Sequence, residues 1–440
     1  MKRIVLAWSI VLLVNAGKLD AENWPQFRGP QFNGSTTETG FPTTFSTTEN
    51  VVWAAELPGG SAATPVVWDN HVFISTIDES KRTLCAVAYD RATGKQLWKQ
   101  DVAEGVRQDS RSNYASPSPA TDGKVVVFFY GQGSLVAYDF AGKPKWSRDL
   151  QKDFGEFAFQ WTFSSSPLIY DGRLFMQVLQ RDVPARGRGR ADQPNESYLL
   201  ALDPATGDVL FRQVRASQAV QESRESFATP LPIRVNGHDE IVLIGGDDMT
   251  GHDPTTGKEL WRWGTWNPDR IPHWRHVPSP VYGDNVLLVC APKGDPIYAI
   301  KAGGTGQLSD ESIAWVSRGE RTISADVPTP AFYDGDFFVL NEGRKVISRV
   351  KPTTGEIVWT MRTPGTDKFE ASPLLADGKI YLINFVSNVV VMDASDGKIL
   401  HEVAMDEPHD EACRSSIVAS HGQLFVKTPT KLFCLAKPSR

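Results

Sequence analysis

The chain has 440 residues, of which 41% are hydrophobic and 22% charged, and this balance excludes an intrinsically disordered chain. The formal net charge of −6 excludes a strongly basic protein of the kind that binds nucleic acid through its overall charge. The 36 glycines and 29 prolines favour many short strands joined by tight turns.

The first element in chain order is an apolar run that follows two basic residues. Lys2 and Arg3 precede the run, and small residues follow it at Ala16 and Ala21. This order is typical of a secretory signal, so we expect residues 1–21 to be a signal peptide cleaved after Ala16 or Ala21. The alternative is a membrane anchor, but a run of about 11 residues is shorter than the roughly 20 that a spanning helix needs. We therefore expect an exported protein of the periplasm or cell envelope, without a membrane span after cleavage.

A repeated unit occupies the chain after an N-terminal extension, which we assign to residues 22–49. Most copies begin with Ser-Pro or Thr-Pro, and a weaker one begins at Ser416-Ile417. Each continues through an apolar strand to a turn that is often Asp-Gly. The sequence predicts eight copies, and the earliest begin at Thr64-Pro65, Ser116-Pro117 and Ser166-Pro167. The turn positions of the eight copies are Asp69, Asp122, Asp171, Asn236, Asp284, Asp334, Asp377 and His421.

The second half of a unit follows the pattern Asp-x-x-Thr-Gly and then Trp, as from Asp90 to Trp98, and later units repeat this pattern with variations. The Asp-Gly pair predicts a two-residue hairpin turn in which Gly takes the positive φ. In the second motif, the Asp side chain can accept backbone N–H groups across the turn. Four strands in roughly 45 residues are typical of one propeller blade. We therefore predict an all-β fold over residues 50–440, an eight-bladed β-propeller of four-stranded antiparallel blades.

The last unit lacks its fourth strand before the sequence ends. A spare strand, Val51 to Leu57, precedes the first copy. We expect this N-terminal strand to join the last blade and close the ring, because closure removes two unpaired sheet edges.

These Ser-Pro…Asp-Gly…Ala-x-Asp-x-x-Thr-Gly-x-x-x-Trp units resemble the pyrroloquinoline-quinone (PQQ)-like, or quinoprotein-like, β-propeller repeat over about residues 50–440. The opening residues, Asn23 to Pro30, are similar to the start of exported planctomycete-type members. The resemblance implies the propeller fold. For function it implies either a quinoprotein dehydrogenase or a non-enzymatic scaffold, such as the propeller lipoprotein of the outer-membrane protein assembly machine.

The long connections between blades share one face of a propeller, and function usually lies on such variable loops. Trp, Arg and His side chains there suit an anionic or planar ligand, a sugar face or a protein hot spot. The same residues also have structural interpretations, as caps of blade edges or as hydrogen-bonded groups. The candidate binding residues on this face are Arg111, Trp161, Arg224, His273, Trp274, His276, Asp326, Glu370 and Arg414.

The resemblance also implies what a working dehydrogenase needs: PQQ over a Trp floor, a calcium or lanthanide ion, a catalytic Asp and, in many members, two adjacent cysteines. Trp161 could be the floor, and Asp326 or Glu370 the acid. The sequence contains no adjacent cysteines, and we recognise no set of converging oxygen ligands for a hard cation. We therefore assign no catalytic residue, metal or cofactor.

Our functional prediction is a non-enzymatic scaffold of the cell envelope that binds a protein or glycan partner through the loop face around the channel. The alternative is a PQQ-dependent alcohol or sugar dehydrogenase that also binds calcium. A weaker alternative is a polysaccharide-active propeller, suggested by the Trp residues alone.

The four cysteines are Cys85, Cys290, Cys413 and Cys434. Cys413 and Cys434 lie in one repeat and can pair in an oxidising compartment. Alternatively, all four are small buried hydrophobic residues, and spacing leaves both readings open.

Overall fold

The computed structural model describes residues 22–294, 296–407 and 409–438. The predicted signal peptide, residues 1–21, lies outside the described residues. Within the described ranges, no helix has the length and apolar character needed to cross a membrane. The helical elements of these ranges are α1 (Leu150–Phe154) and 3-10 turns at Gln221–Arg224, Pro292–Gly294 and Asp310–Ser312.

The strands form eight sheets arranged as the blades of a propeller, which confirms the predicted all-β, eight-bladed fold. The N-terminal strand is β1 (Val51–Glu56). Blade 1 contains β2 (Val66–Trp68), β3 (His71–Asp78), β4 (Thr83–Asp90) and β5 (Gln96–Glu104). Blade 2 contains β6 (Ala120–Thr121), β7 (Val126–Phe129), β8 (Ser134–Tyr138) and β9 (Pro144–Asp149). Blade 3 contains β10 (Leu168–Tyr170), β11 (Arg173–Val178), β12 (Tyr198–Leu202) and β13 (Val209–Val214).

Blades 4 and 5 are joined by a short extra strand. Blade 4 contains β14 (Leu231–Val235), β15 (His238–Gly245), β16 (Asp248–His252) and β17 (Glu259–Trp263). Blade 5 contains β18 (Val281–Gly283), β19 (Val286–Cys290), β20 (Ile297–Lys301) and β22 (Ile313–Val316). Between the last two strands of blade 5, β21 (Gly306–Gln307) pairs with β17 and covers the outer edge of blade 4.

The remaining blades follow the same order. Blade 6 contains β23 (Ala331–Tyr333), β24 (Asp336–Asn341), β25 (Val346–Val350) and β26 (Ile357–Arg362). Blade 7 contains β27 (Leu374–Ala376), β28 (Lys379–Ile383), β29 (Asn388–Asp393) and β30 (Ile399–Ala404). Blade 8 contains β31 (Val418–Ser420), β32 (Gln423–Lys427) and β33 (Lys431–Leu435), and its sheet order is β1-β33-β32-β31.

Strand β1 pairs antiparallel with β33, with Trp53 opposite Cys434 and Glu56 opposite Lys431. Blade 8 therefore combines the N-terminal strand with three C-terminal strands. That this strand closes the ring, as the sequence analysis expects, stays a prediction.

The first hairpin turn of the blades differs in one detail from the sequence prediction. In six blades both central residues have positive φ, not the glycine alone, because a type I′ turn requires it at both positions. Short polar Asp and Asn tolerate this conformation better than most side chains. The six turns are Asp171-Gly172, Asn236-Gly237, Asp284-Asn285, Asp334-Gly335, Asp377-Gly378 and His421-Gly422.

The start of blade 2 is also corrected. Two consecutive Ser-Pro pairs occur there, and the structure uses Ser118-Pro119 rather than Ser116-Pro117 as the counterpart of the other blades, since the amide of Thr64 donates to Ser118 Oγ. Its turn is longer, and the Asp122 carboxylate accepts the amides of Lys124 and Val125 at 2.9 and 3.0 Å.

The outer-strand Trp joins neighbouring blades. Trp98 of blade 1 donates from Nε1 to the carbonyl of Phe140 in blade 2 at 2.9 Å. Its ring covers Gly142, where a Cβ atom would lie only 2.6 Å from the indole. Glycine is therefore required at this turn by a close contact as well as by its positive φ. The same contact joins Trp53 to Gly94, Trp146 to Gly207 and Trp315 to Gly355.

Residues 22–38, part of the predicted extension, cross the hairpin-turn end of the central channel, and we call them the plug segment. The Trp24 backbone pairs with Val67 of blade 1, and Ser35 pairs with Leu375 of blade 7. Further hydrogen bonds reach blades 2, 3, 6 and 8: they involve Thr121, Ile169, Phe332 and Gly422. The segment therefore links inner strands that are far apart in sequence.

All four cysteines are buried free thiols in the structure. The Cys413–Cys434 disulfide left open by the sequence is therefore not formed here.

Candidate functional site

A closed ring of hydroxyl groups surrounds the central channel. It uses the Ser or Thr that begins the inner strand of every blade, and a proline follows seven of these eight residues. Proline holds the preceding residue in an extended conformation, which places these residues equivalently around the axis. The ring residues are Thr64, Ser118, Ser166, Thr229, Ser279, Thr329, Ser372 and Ser416.

Each ring hydroxyl accepts the backbone amide of the ring residue in the preceding blade. The N–H of Thr64 donates to Ser118 Oγ at 2.9 Å, and the last bond, from Ser416 to Thr64 Oγ1 at 3.4 Å, completes the circle. The intervening bonds measure between 2.9 and 3.3 Å. Each hydroxyl oxygen thus accepts one hydrogen bond, while its own O–H remains available toward the channel.

The ring lines a cavity of about 170 Å³. Phe27 of the plug segment lines it from the hairpin-turn side, while Arg111, Trp161 and Arg414 line it from the loop face. Four of the nine predicted candidates therefore lie together at the mouth of one cavity: Arg111, Trp161, Glu370 and Arg414.

Glu370 is held between two arginines from different blades. Arg414 Nε donates to Glu370 Oε2 at 2.9 Å, and Arg111 Nη1 lies 3.8 Å from Oε1. The Glu370 side chain is 4% exposed, whereas that of Arg111 is 53% exposed. Arg414 also stacks on the ring of Phe385, with 4.6 Å between guanidinium and ring centre. The arrangement neutralises the buried carboxylate and leaves Arg111 as the accessible cation.

Arg275 is a cavity residue that the sequence prediction did not select. It is 8% exposed and lines the cavity. Its nearest carboxylate oxygens belong to Asp326 at 3.6 Å and Glu222 at 3.9 Å, beyond hydrogen-bond distance. Asp326, a predicted candidate, thus lies beside the cavity as a distant ion partner of this arginine.

Trp161 is fixed at the mouth by two polar contacts. Its Nε1 donates to Glu222 Oε1 at 3.0 Å, and the guanidinium of Arg186 lies 5.3 Å from its ring centre. Arg186 belongs to the arginine-rich insertion of blade 3, and Arg188 from the same insertion donates to the carbonyl of Gln160. The insertion is therefore docked on the loop face.

The other predicted candidates lie away from the cavity. Arg224 donates to the carbonyls of Ser217 and Ala219, so it supports a local loop. His273 is exposed, and Trp274 packs against the hydrophobic core between blades 4 and 5.

His276 does not face the channel, and its selection as a partner-binding residue is corrected. It is 1% exposed, and its ring lies 6.2 Å from that of Trp266. Burial lowers the pKa of His276 to about 4, so the imidazole is neutral at pH 7. The neighbouring Trp261, Trp263 and Trp266 are likewise buried in the core.

Two further carboxyl groups are buried beneath the loop face. Burial raises the pKa of Glu225 to about 7, although Arg181 is its ion partner. Burial also raises the pKa of Glu342 to about 7, and its Oε1 accepts the amide of Asp326 at 3.1 Å. Neither residue is among the nine candidates selected from the sequence.

The described residues offer no converging set of acidic oxygen ligands in the cavity. Among the described residues, three side chains of blade 1 lie close enough together to hold a metal ion: Asp78, Cys85 and Asp101. None of the three lines the cavity. Lys99 and Lys81 already pair with the two carboxylates of that group. Hard cations need several converging oxygens, so these residues do not fit the calcium of a quinone centre.

The comparisons with known proteins agree with this architecture. The sequence matches the family model described as outer membrane protein assembly factor BamB over residues 37–183 and 297–436, more than half of the chain. The chain belongs to this BamB family. A comparison with curated proteins finds no match. The planctomycete-type origin expected from residues 23–30 is untested by these comparisons and stays a prediction.

Solved structures similar to this BamB-family chain include a BamB protein and two dehydrogenases. BamB from Moraxella catarrhalis superposes with a TM-score of 0.58 at 12% identity, over 88% of this chain and 99% of that one. Quinohemoprotein alcohol dehydrogenase from Comamonas testosteroni gives a TM-score of 0.62 at 12% identity, over 95% and 81%. A europium-containing methanol dehydrogenase gives 0.64 at 11% identity, over 93% and 88%. At such low identities the similarity shows the shared fold alone.

Proposed function

We propose that this protein is a non-enzymatic scaffold of the cell envelope that binds a protein partner through the loop face around the cavity mouth. The observation that carries the proposal is the mouth itself, where the exposed Arg111, the stacked Arg414 and Trp161 surround one opening. Arg and Trp are the residues most enriched in protein hot spots. The description of the family as an assembly factor for outer membrane proteins also favours a protein partner in the envelope.

A glycan partner and a polysaccharide-active site are less well supported. Sugar binding uses flat aromatic faces that are open to solvent, yet Trp261, Trp263 and Trp266 are all buried. One face of Trp161 is covered by Arg186. The aromatic residues that suggested a sugar site in the sequence therefore belong mainly to the core.

The dehydrogenase alternative is disfavoured by the state of its two candidate acids. Glu370 is paired with two arginines, and Asp326 lies beside Arg275 while its Oδ1 accepts the amide of Lys293. A general base must be free to take a proton from the substrate, and a carboxylate held by cations is a poor one. With no fitting calcium ligands in the cavity, the described residues favour binding over catalysis.

The proposal is tested by site-specific photocrosslinking in envelope fractions. A crosslinker at position 111, on the loop face, is compared with one at position 395, which is exposed on the opposite face. We expect a discrete protein adduct from position 111 alone. Arg111→Ala and Arg414→Ala should each reduce capture of that protein, whereas Lys398→Ala on the opposite face should not.

Equal adducts from positions 111 and 395, or unchanged capture by both arginine variants, would show that the mouth is not the binding surface. An adduct that periodate degrades and proteases leave intact would identify a glycan and overturn the protein assignment.

A further inference from the structure

The guanidinium of Arg275 is buried at the cavity wall without a hydrogen bond to the protein. The residue is 8% exposed, and its Nη1 is fully buried with no partner among the described residues. Its two carboxylate neighbours are 3.6 and 3.9 Å away, too far for hydrogen bonds. Buried polar groups are normally hydrogen-bonded, because an N–H group without a hydrogen bond loses its hydration without compensation, even where carboxylates at a greater distance offset the charge. The side chain therefore points to a ligand in the cavity that it lines.

The hydroxyl ring supplies further donors to the same space. All eight hydroxyls line the cavity, and each accepts an amide of the neighbouring blade. In the described part of the chain, none of the eight donates to a protein acceptor, so their O–H groups are available to a ligand. A hydroxyl can also accept, so the surrounding charges must decide the sign of the ligand.

The lining of the cavity carries more positive than negative charge, which favours an anion. It contains Arg111, Arg275 and Arg414 but a single carboxylate, Glu370, which pairs with Arg111 and Arg414. Asp326 and Glu222 lie outside the lining, 3.6 and 3.9 Å from Arg275, and offset part of its charge. Below the floor, Arg28 is buried and donates to the carbonyls of Pro330 and Pro373. No carboxylate pairs with Arg28 in the structure described. Burial lowers its pKa to about 9, so it remains a cation at pH 7.

We propose that the central cavity binds a small tetrahedral oxyanion, such as phosphate or sulfate, between Arg275 and the hydroxyl ring. Guanidinium groups recognise such oxygens through charge-assisted hydrogen bonds, and hydroxyl donors complete the coordination of a tetrahedral ion. The volume of about 170 Å³ is ample, since a single water needs only about 15 Å³ of such a cavity. Phe27 blocks the hairpin-turn side, so the ion enters from the loop face.

This inference goes beyond the proposed function, because it requires no partner. It is tested on the mature chain by calorimetry and thermal unfolding at pH 7.5, with sodium phosphate and sodium sulfate compared with sodium chloride at equal ionic strength. We expect both oxyanions to raise the unfolding temperature and to bind at one site. Arg275→Gln should weaken binding at least ten-fold, whereas Arg318→Gln, exposed on the same face, should leave it unchanged.

The ring is tested separately, in case Arg275→Gln does not fold. Ser279→Ala removes one hydroxyl and should weaken binding several-fold, while Ser279→Thr keeps the hydroxyl and should retain affinity. The inference is overturned if phosphate and sulfate act no differently from chloride, or if folded Arg275→Gln or Ser279→Ala binds like the wild type. Binding of acetate but of neither tetrahedral ion also overturns it. Capture of the protein partner is measured in a buffer that contains chloride as the only anion. A failure of oxyanion binding therefore leaves the capture result interpretable, and a failure of capture leaves the binding result interpretable.

Discussion

The contact between Trp53 and Gly94 offers a direct test of the ring closure. Trp53 lies on β1, the N-terminal strand of blade 8, and its Nε1 donates to the carbonyl of Arg91 in blade 1 at 2.8 Å. A Cβ atom at Gly94 would lie 2.5 Å from the indole of Trp53, and Gly94 has a φ of +71°. The two residues therefore meet only if the N-terminal strand occupies its place in the ring.

Each single substitution should destabilise the protein for a different reason. Trp53→Ala removes a ring that is 7% exposed and should cost about 3–5 kcal/mol of unfolding free energy. Gly94→Ala should cost about 1–2 kcal/mol for its left-handed backbone and a further ~1–3 kcal/mol for the clash with the indole. When Trp53 is already alanine, the indole is absent and the clash is gone. Gly94→Ala should then cost only the unfolding free energy that comes from its left-handed backbone. The expected coupling is therefore about 1–3 kcal/mol.

Urea unfolding monitored by circular dichroism measures the four proteins of the cycle. Gly378→Ala is the matched control, because Gly378 has a φ of +69° and a Cβ atom added there would meet no other atom within 4 Å, so it reports the backbone cost alone. The closure by β1 would be refuted if the losses of unfolding free energy caused by Trp53→Ala and Gly94→Ala were strictly additive and Gly94→Ala destabilised the protein no more than Gly378→Ala.

Three further predictions address the ends of the chain, the loop face and the cofactor. Deleting residues 22–57 should expose the edges of blade 8 and cause aggregation, and a stable monomer in light scattering would contradict this. The pKa of Glu225 in the folded protein is about 7, above the ordinary value of 4.5. Between these two pH values the folded state keeps a proton that the unfolded state has lost, so the free energy of unfolding falls as the pH rises from about 4.5 to 7. Glu225→Gln should reduce the loss of unfolding free energy between pH 5 and pH 8 by up to about 3 kcal/mol, whereas Glu104→Gln at an exposed position should not. An unchanged dependence of the unfolding free energy on pH in Glu225→Gln would disprove the raised pKa of Glu225. After incubation with PQQ and Ca²⁺ and removal of free cofactor, we expect neither quinone absorbance nor alcohol-dependent dye reduction, and observing both would establish the dehydrogenase alternative.

The sequence alone determined the blades, because their signals are local. An Asp-Gly turn or an Asp-x-x-Thr-Gly turn forms hydrogen bonds within a few residues, as where Thr93 donates its amide to Asp90 Oδ1 at 2.8 Å. Eight copies of such a unit imply eight blades whatever the distant contacts are. The error at Ser116 was a register ambiguity between two adjacent Ser-Pro pairs, and only the hydrogen bond from Thr64 resolved it.

The composition of the cavity was decided by the tertiary structure. Its ring bonds join residues 43 to 352 positions apart, and no spacing rule connects Ser416 to Thr64 or Phe27 to the channel. The sequence drew attention to the run that contains Arg275 and His276, yet it favoured the histidine. Adjacent residues of an extended segment point in opposite directions, so one lines the cavity while the other enters the core. Which of the two faces the axis depends on how blade 4 and blade 5 pack together, and that packing exists only in the closed ring.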